Sequence, residues 1–318
     1  MTASNATIND GLLYTYFAVV VSGINFVGLM GNALLLYIFI SDKYFRKITY
    51  YLMLICVISD GISNIFSLIS TGLLLGKHGT QSYTMLIVCS ISGVVVYISY
   101  GVSIMNLCLI SIDRYFAFVK PLNMFYRVYR KKIVIIVEIL IWIISASITI
   151  PDIAFIQAPD DDKFICDYPN VTISISIYLV SYTVVYYVLP SMVITIAYWR
   201  IIIFQRNYVR PGQTIKQLKY EQASKRKLIK SLISISLSYV LLTFPYFVVL
   251  LSFGVTRTNL LQVREKSSVL FAICVLAVAS TSNITVINPF LYLKFDGNIR
   301  KNFKEILKCC HKGDHKRI

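Results

Sequence analysis

The residues most suggestive of chemistry are polar side chains inside long apolar segments. Asp60 lies within LICVISDGIS, Asn32 in an earlier apolar segment and Asn288 in a later one. An ionisable group inside a membrane-spanning helix costs about 2.5–3.5 kcal/mol to insert, and it is a functional hypothesis by default. If the three groups meet inside one bundle, they either hold helices together by hydrogen bonds or form a site. Both interpretations stay open, and they are compatible.

Two short motifs add charge and helix distortion. In SIDRY, Asp113 directly precedes Arg114 at the end of an apolar segment, so the acid can hold the arginine in an ion pair. Breaking that pair frees a guanidinium with five donors, which is one kind of two-state element. In NPFLY, Pro289 removes a helical hydrogen bond, Asn288 is predicted to satisfy the freed backbone, and Tyr292 follows one turn later. Each motif alone also fits an ordinary membrane helix, where proline is common.

Apolar segments must position these groups. The 318 residues are 57% hydrophobic and 14% charged, whereas soluble domains have about 25% charged residues. Soluble, disordered, collagen-like and small disulfide-bonded classes are therefore excluded. The predicted spans are 12–40, 48–75, 85–118, 131–151, 174–203, 228–253 and 268–293. Each is long enough to cross a bilayer, and each must be helical because backbone groups in lipid need partners within the span. Glu138, beside basic residues, is expected to snorkel towards the surface.

The basic residues give the orientation. All but five of the 31 lysines and arginines fall in the connections after the first, third and fifth spans, in the span ends next to these connections, and in the tail. By the positive-inside rule that side is cytoplasmic and the N-terminus is outside. The net charge of +16 is thus a topology signal, and nucleic-acid binding is not expected. The only long polar linker, about 204–226, is cytoplasmic.

Together these features resemble the rhodopsin-like (class A) family of G-protein-coupled receptors over nearly the whole chain. One signature per span occurs in the family's order: Asn32 after Gly31, Asp60, Cys89 placed 25 residues before Arg114, Asp113-Arg114-Tyr115, Trp142, Pro190, Pro245 and Asn288-Pro289-Phe290-Leu291-Tyr292. The resemblance implies an all-α seven-transmembrane bundle in the plasma membrane, with a C-terminal amphipathic surface helix. It divides the chain into an extracellular N-terminus (1–11), a receptor domain (12–293) and a cytoplasmic tail (294–318). It further implies a receptor, not an enzyme, that binds a ligand outside and activates a heterotrimeric G protein inside.

The resemblance also assigns roles to residues. It implies a Cys89–Cys166 disulfide. It implies a sodium pocket of Asp60, Ser103 and Asn288, with no other cofactor. It implies an activation switch of Asp113, Arg114, Tyr115, Tyr198, Lys225, Asn288, Pro289 and Tyr292. It implies a packing relay of Ile104, Pro190 and Tyr239.

The tail and the outer face carry modification signals. Phe295, Ile299, Phe303 and Leu307 recur every four residues, which predicts an amphipathic helix on membrane lipids. Two thiols follow it, and palmitoylation of both is favoured over ordinary reduced cysteines. Sequons on the outer face predict glycosylation. The residues concerned are Cys309 and Cys310 for palmitate, and Asn5 and Asn170 for glycans.

Three departures from the family pattern lead to expectations. Thr243 stands where the family usually has a tryptophan, which leaves Tyr239 or Phe244 to carry that motion. Lys225 stands where many members have an acid that pairs with the span-three arginine, so measurable basal signalling is expected. The tail from 294 to 318 has no serine or threonine, so arrestin recruitment is expected to be weak, or to depend on Thr214 and Ser224.

The ligand is narrowed mostly by exclusion. Residues 278–282 contain no lysine, which argues against covalent retinal, and Val96 stands where amine receptors have an acid. The expected ligand candidates are Val96, Tyr97, Tyr100, Tyr182, Tyr186, Tyr246, Phe247, Ser282, Asp162 and Asp167. The second outer loop adds Asp152, Asp160 and Asp161 against a single Lys163, and this charge favours a basic neuropeptide, although a solvated loop is an equal reading. The alternatives are a chemosensory or other small-molecule receptor and, more remotely, a seven-span channel, transporter or membrane enzyme.

Overall fold

A computed structural model describes residues 2–75, 82–156, 167–168, 170–207 and 215–314. Helices dominate this part of the chain. They are α1 (Thr2–Ser41), α2 (Ile48–Leu75), α3 (Ser82–Phe118), α4 (Met124–Thr149), α5 (Asp152–Phe155), α6 (Ile173–Thr183), α7 (Leu189–Asn207), α8 (Ile215–Thr256), α9 (Leu260–Lys266), α10 (Ser268–Phe295) and α11 (Gly297–Asp314).

The seven predicted spans are confirmed. In the described residues, six helices are long and apolar enough to cross a membrane, and a bent pair in α10, with 49° between Ser268–Ser280 and Thr285–Phe295, makes the seventh. The polar linker predicted over about 204–226 lies between the spans Ile173–Arg206 and Leu232–Thr256, and its described parts are helical. Helix α7 continues to Asn207 and α8 already begins at Ile215, because these polar residues are good helix formers and can extend the helices beyond the bilayer.

Helix α3 is the centre of the bundle. About 61% of its most apolar 18-residue stretch is buried inside the bundle, against 28% for the corresponding stretches of α1 and α4. It packs against α2, α4 and α7, while α10 packs against α1 and α8. Large apolar side chains on the outer faces are exposed, as expected for helices whose outer surface meets lipid tails. The central helix is therefore the one that carries both Ser103 and Asp113.

Proline and glycine shape the contact between α1 and α10. Pro289 has no N–H, so the carbonyl of Thr285, four residues earlier, loses its helical partner. The Nδ2 of Asn32 donates to that carbonyl at 2.9 Å, while Asn288 bonds elsewhere. The prediction that Asn288 would satisfy this backbone was therefore wrong. A Cβ on Gly31 would come within 3.0 Å of the Pro289 side chain, so glycine permits the approach.

Helix α11 lies against the end of the bundle. Ile299 is fully buried, and Phe303 and Ile306 are partly buried against the core, whereas Leu307 is 52% exposed. The predicted spacing of four residues placed Leu307 on this face. The helical repeat of 3.6 residues brings Ile306 there instead. Tyr50 fixes the junction by donating from its hydroxyl to Asp296 at 2.9 Å.

Candidate functional site

The middle of the bundle holds the polar triad expected around Asp60. Its carboxylate is 2% exposed. Ser103 donates from Oγ to one oxygen at 2.9 Å, and Asn288 donates from Nδ2 to the other at 2.7 Å. The structure thus brings together residues from α2, α3 and α10. Carboxylate, hydroxyl and amide oxygens are the ligand types that hard cations prefer, so the side-chain chemistry fits a small cation.

The end of the bundle where α3 meets α4, here called the Arg114 end, holds the second charged cluster. Asp113 is fully buried. It accepts from the Arg114 guanidinium at 2.9 Å, from Arg130 at 2.7 Å to each oxygen, and from the Tyr126 hydroxyl at 2.8 Å. Arg114 also donates to the Thr49 hydroxyl on α2. The arrangement holds the arginine inward, tied to α2 and α3.

The remaining residues of the predicted switch and relay lie in the core nearby. Tyr198 and Tyr292 are buried, and Tyr115 is half-buried. Ile104, Pro190 and Tyr239 are also all buried. A π-helical turn at Val184–Val188 lies just before Pro190, separated from it by Leu189. Such turns occur where a side chain or proline disturbs the helical hydrogen-bond ladder.

Thr243 occupies the expected tryptophan position without replacing its bulk. It is fully buried, and its hydroxyl donates to the Tyr239 carbonyl at 2.9 Å. Phe244 is 53% exposed on the outer face, so it lies outside the core. The hydroxyl of Tyr239 donates to the Tyr100 carbonyl on α3 at 3.2 Å. Of the two side chains expected to take over the motion, Tyr239 alone connects α8 to α3.

The predicted aromatic wall forms one continuous cluster. Tyr182 and Tyr186 lie 4.6 Å apart between ring centroids, and Tyr246 and Phe247 lie 5.1 Å apart. Tyr97 links the two sides, at 6.0 Å from Tyr182 and 6.2 Å from Tyr246, and Tyr100 lies 5.8 Å from Phe247. Val96 is half-buried beside this cluster. Residues from α3, α6, α8 and the π-helical turn thus meet at one place.

Beyond the aromatic wall is the opposite end of the bundle, here called the Asp167 end. Asp167 is buried and accepts from the backbone N–H groups of Tyr168 at 2.8 Å and Leu261 at 3.0 Å. Burial nevertheless raises the pKa of the Asp167 carboxyl. Burial also raises the pKa of the Tyr168 hydroxyl well above its ordinary value, and the nearby Asp152 charge adds to this. That hydroxyl donates to Asp152 at 2.7 Å.

Two acids were wrongly placed by sequence reasoning. Asp152, counted among the acids of a loop, begins the one-turn helix α5 and is 1% exposed. Glu138, expected to snorkel, is 5% exposed. It accepts from Asn106 at 3.2 Å and from the Trp142 indole at 3.1 Å. Its helical position turns it towards α3 and away from the basic edge, so polar neighbours within the bundle replace water.

Several predicted site residues fall outside the described part of the chain. Asp162 and Cys166 lie in an undescribed segment. For others only the backbone is described, and it is helical: Asn5, Cys89, Lys225, Ser282, Cys309 and Cys310. Asn170 is exposed just before α6. The disulfide, glycosylation and palmitoylation assignments therefore stay predictions.

Sequence reasoning missed the partners that hold Asp113. Arg130 was interpreted only as one of the basic residues that indicate the orientation in the membrane, and Tyr126 was not considered. The two stand four residues apart, and residues at that spacing share one face of a helix. This signal was available, but it did not show that the face is turned towards Asp113.

Comparison with known proteins agrees with this architecture. The family model "7 transmembrane receptor (rhodopsin family)" matches residues 31–292. The Aquarana catesbeiana substance-P receptor is 25% identical, with 97% of this chain and 76% of that receptor aligned. The Ovis aries bombesin receptor subtype-3 is 24% identical over 95% and 76% of the two chains, and the human substance-P receptor is 23% identical over 88% and 68%.

Proposed function

From the premise that the chain belongs to the rhodopsin family of seven-transmembrane receptors, we propose that it binds a peptide outside the cell and activates a heterotrimeric G protein inside. It is a multi-pass membrane protein, and members of this family are receptors, not enzymes. The basic connections support a cytoplasmic Arg114 end by the positive-inside rule, and with it an Asp167 end that faces outward at the plasma membrane.

The observation that carries the G-protein proposal is the closed Asp113–Arg114 pair at the end of the central helix. The guanidinium is held by Asp113 at 2.9 Å and by the Thr49 hydroxyl. A shift of α2 or α4 away from α3 would release it towards the cytoplasm. Packed helices with two discrete arrangements can convert a small displacement at one end into such a release at the other.

The peptide proposal is supported by the relatives and by the charge of the outer end. The similar receptors are named for substance P and bombesin. Val96 removes the acid that an amine ligand would need, and the acids at this end favour a basic peptide. A small-molecule ligand is the second candidate, since the aromatic wall has no charged side chain of its own and its rings are closely packed.

We also propose that Asp60 binds a sodium ion. The carboxylate is buried, and in the described part of the chain it accepts hydrogen bonds only from the neutral groups of Ser103 and Asn288. A bound cation would offset its charge, and a ligand that repacks α10 would change the ion's affinity. Because linkage is reciprocal, sodium should then change ligand affinity by the same factor, and an Asp60→Asn variant should lose this dependence.

The function is tested by second-messenger assays in cells expressing the wild type or Arg114→Ala. The library should contain basic peptides and small metabolites. We expect a basic-peptide response in the wild type that is lost in Arg114→Ala and kept in Arg127→Ala, an exposed arginine at the same end. A response only to apolar small molecules would replace the ligand proposal. A response unaffected by Arg114→Ala, at matched surface expression, would contradict the switch.

Two further expectations concern regulation. Basal signalling should exceed that of cells without the receptor, because Lys225 cannot pair with Arg114. Arrestin recruitment should be weak or depend on Thr214 and Ser224. Equal signalling with and without the receptor would contradict the first expectation. Strong recruitment that survives replacement of both Thr214 and Ser224 by alanine would contradict the second.

A further inference from the structure

Asp152 is a buried acid for which the described chain supplies no cation. It is 1% exposed, and the only hydrogen bond to its carboxylate in the described residues comes from the Tyr168 hydroxyl. The fully buried Asp113, by contrast, has two arginines, and Asp167 is held by backbone N–H groups. Removing a carboxylate from water is strongly unfavourable unless a partner offsets its charge. One neutral hydroxyl offsets it only in part.

Tyrosine side chains lie near this carboxylate, and the Tyr168 hydroxyl donates to it at 2.7 Å. Its charge lies within electrostatic reach of the hydroxyl groups of Tyr97, Tyr168 and Tyr178. Phe155, on the same one-turn helix, lies 5.2 Å from Tyr178 between ring centroids. Electron-rich ring faces attract organic cations, and more strongly where water is excluded. A carboxylate among tyrosines therefore has the composition of a site for an alkylammonium or guanidinium group.

The position of this group connects it to the ligand wall. Tyr97, whose hydroxyl lies within electrostatic reach of Asp152, also belongs to the deeper cluster, with its ring 6.0 Å from Tyr182 and 6.2 Å from Tyr246. Helix α5 packs on α3, the helix that carries Arg114 at its other end. A ligand that places a cation at Asp152 would thus lie directly above the predicted ligand residues.

We propose that Asp152, with Tyr97, Tyr168 and Tyr178, anchors a cationic group of the ligand, namely a lysine or arginine side chain of a peptide. This inference rests on the proposed function and names the part of the ligand that the receptor recognises. In the absence of ligand, Tyr168 occupies the carboxylate. The entering cation replaces that hydroxyl and supplies the missing charge. A neutral ligand of the same shape would leave the negative charge of Asp152 without a cation to offset it.

The test uses the full chain purified in detergent, with N-acetylated arginine amide as the probe and N-acetylated norleucine amide as its neutral counterpart. Thermal unfolding is followed over a concentration series, since a ligand that binds only the folded state raises Tm. We expect arginine amide to raise the Tm of the wild type, norleucine amide to have little effect, and Asp152→Asn to lose the arginine response. Glu138→Gln, at a buried acid held by Asn106 and Trp142 within the bundle, should keep it.

Tyr168→Phe gives an independent arm if Asp152→Asn fails to fold. It keeps the ring but removes the hydroxyl that competes for Asp152, so half-saturation should need less arginine amide than in the wild type. Equal Tm shifts from the two amides, an undiminished response in Asp152→Asn, or an unchanged midpoint in Tyr168→Phe would each overturn the proposal. No G protein is involved in this assay. Its failure beside an Arg114-dependent cellular response would therefore reject the anchor and leave the receptor function standing.

Discussion

At the Arg114 end, the buried carboxylate of Asp113 is held by two arginines and a tyrosine, whereas at the Asp167 end the equally buried carboxylate of Asp152 is held by one tyrosine. The first charge is offset within the chain. The ion pair of Asp113 with Arg114 can therefore stabilise one arrangement of the helices, and it breaks when the helices move. Among the described residues the second charge is offset only by a hydroxyl, which favours a cationic partner. The difference agrees with the proposed function, in which a ligand cation binds at the Asp167 end and Arg114 is released at the other.

Removing the acid from the compensated end should have the largest effect on stability. Asp113→Asn leaves Arg114, and half-buried Arg130, without their anion. Breaking one partner of a buried ion pair costs about 3–5 kcal/mol. We expect the free energy of unfolding to fall by about 3 kcal/mol, the lower end of that range, since the Arg130 side chain is 33% exposed. Unfolding in detergent measures this. An unchanged free energy of unfolding would show that the cluster is not compensated as described.

The middle of the bundle should be more moderately sensitive, because its partners are neutral. Asn32→Ala removes the amide that donates to the Thr285 carbonyl at 2.9 Å and joins α1 to α10. The net contribution of such a hydrogen bond to stability is about 0.5–1.5 kcal/mol. Asn25→Ala is the matched control, since the Asn25 amide bonds only the Val21 carbonyl of its own helix. Equal destabilisation by both variants would contradict the role given to Asn32.

The fold was predictable from the sequence to the extent that it depends on local composition. The apolar runs located the seven spans. The family pattern also named Asp60, Ser103 and Asn288, which the structure brings together. These predictions succeeded because a membrane helix must satisfy its own backbone and cannot hide a charge cheaply.

What could not be predicted depends on which helix faces which. Sequence spacing places Tyr126 and Arg130 on one face of α4 but does not say that Asp113 lies opposite. Likewise, counting acids between two spans treated Asp152 as a loop residue, although the chain continues as one more helical turn there. The prediction that Glu138 snorkels towards the surface failed for the same reason. Its neighbours in sequence are basic, whereas its neighbours in space are Asn106 and Trp142.

The smallest predicted effect compares exposed Asp42, at the Arg114 end, with Asp167. Burial raises the pKa of Asp167 above its ordinary 3.8, so ionisation destabilises the folded state. The wild type should therefore gain stability relative to Asp167→Asn as pH falls from neutral towards about 4. The pKa of Asp42 is lowered by the Tyr44 N–H and the Asn302 amide. The contribution of Asp42 to the stability of the folded state should stay constant over that pH range and be lost only below pH 3.8. Thermal unfolding across this pH range would contradict the assignment if Asp167→Asn tracked the wild type.

The measurement that tests the account most directly is a double-mutant cycle between Asp152 and the cationic residue of the best basic peptide from the cellular screen. Potency is measured for the peptide and for its norleucine-for-arginine or norleucine-for-lysine analogue, on the wild type and on Asp152→Asn, at matched expression. If Asp152 receives the cation, the native peptide loses on the order of 30-fold or more on the variant, and the neutral analogue is equally weak on both receptors. Additive losses, or a native peptide equally potent on both receptors, would contradict the claim that the ligand supplies the missing charge.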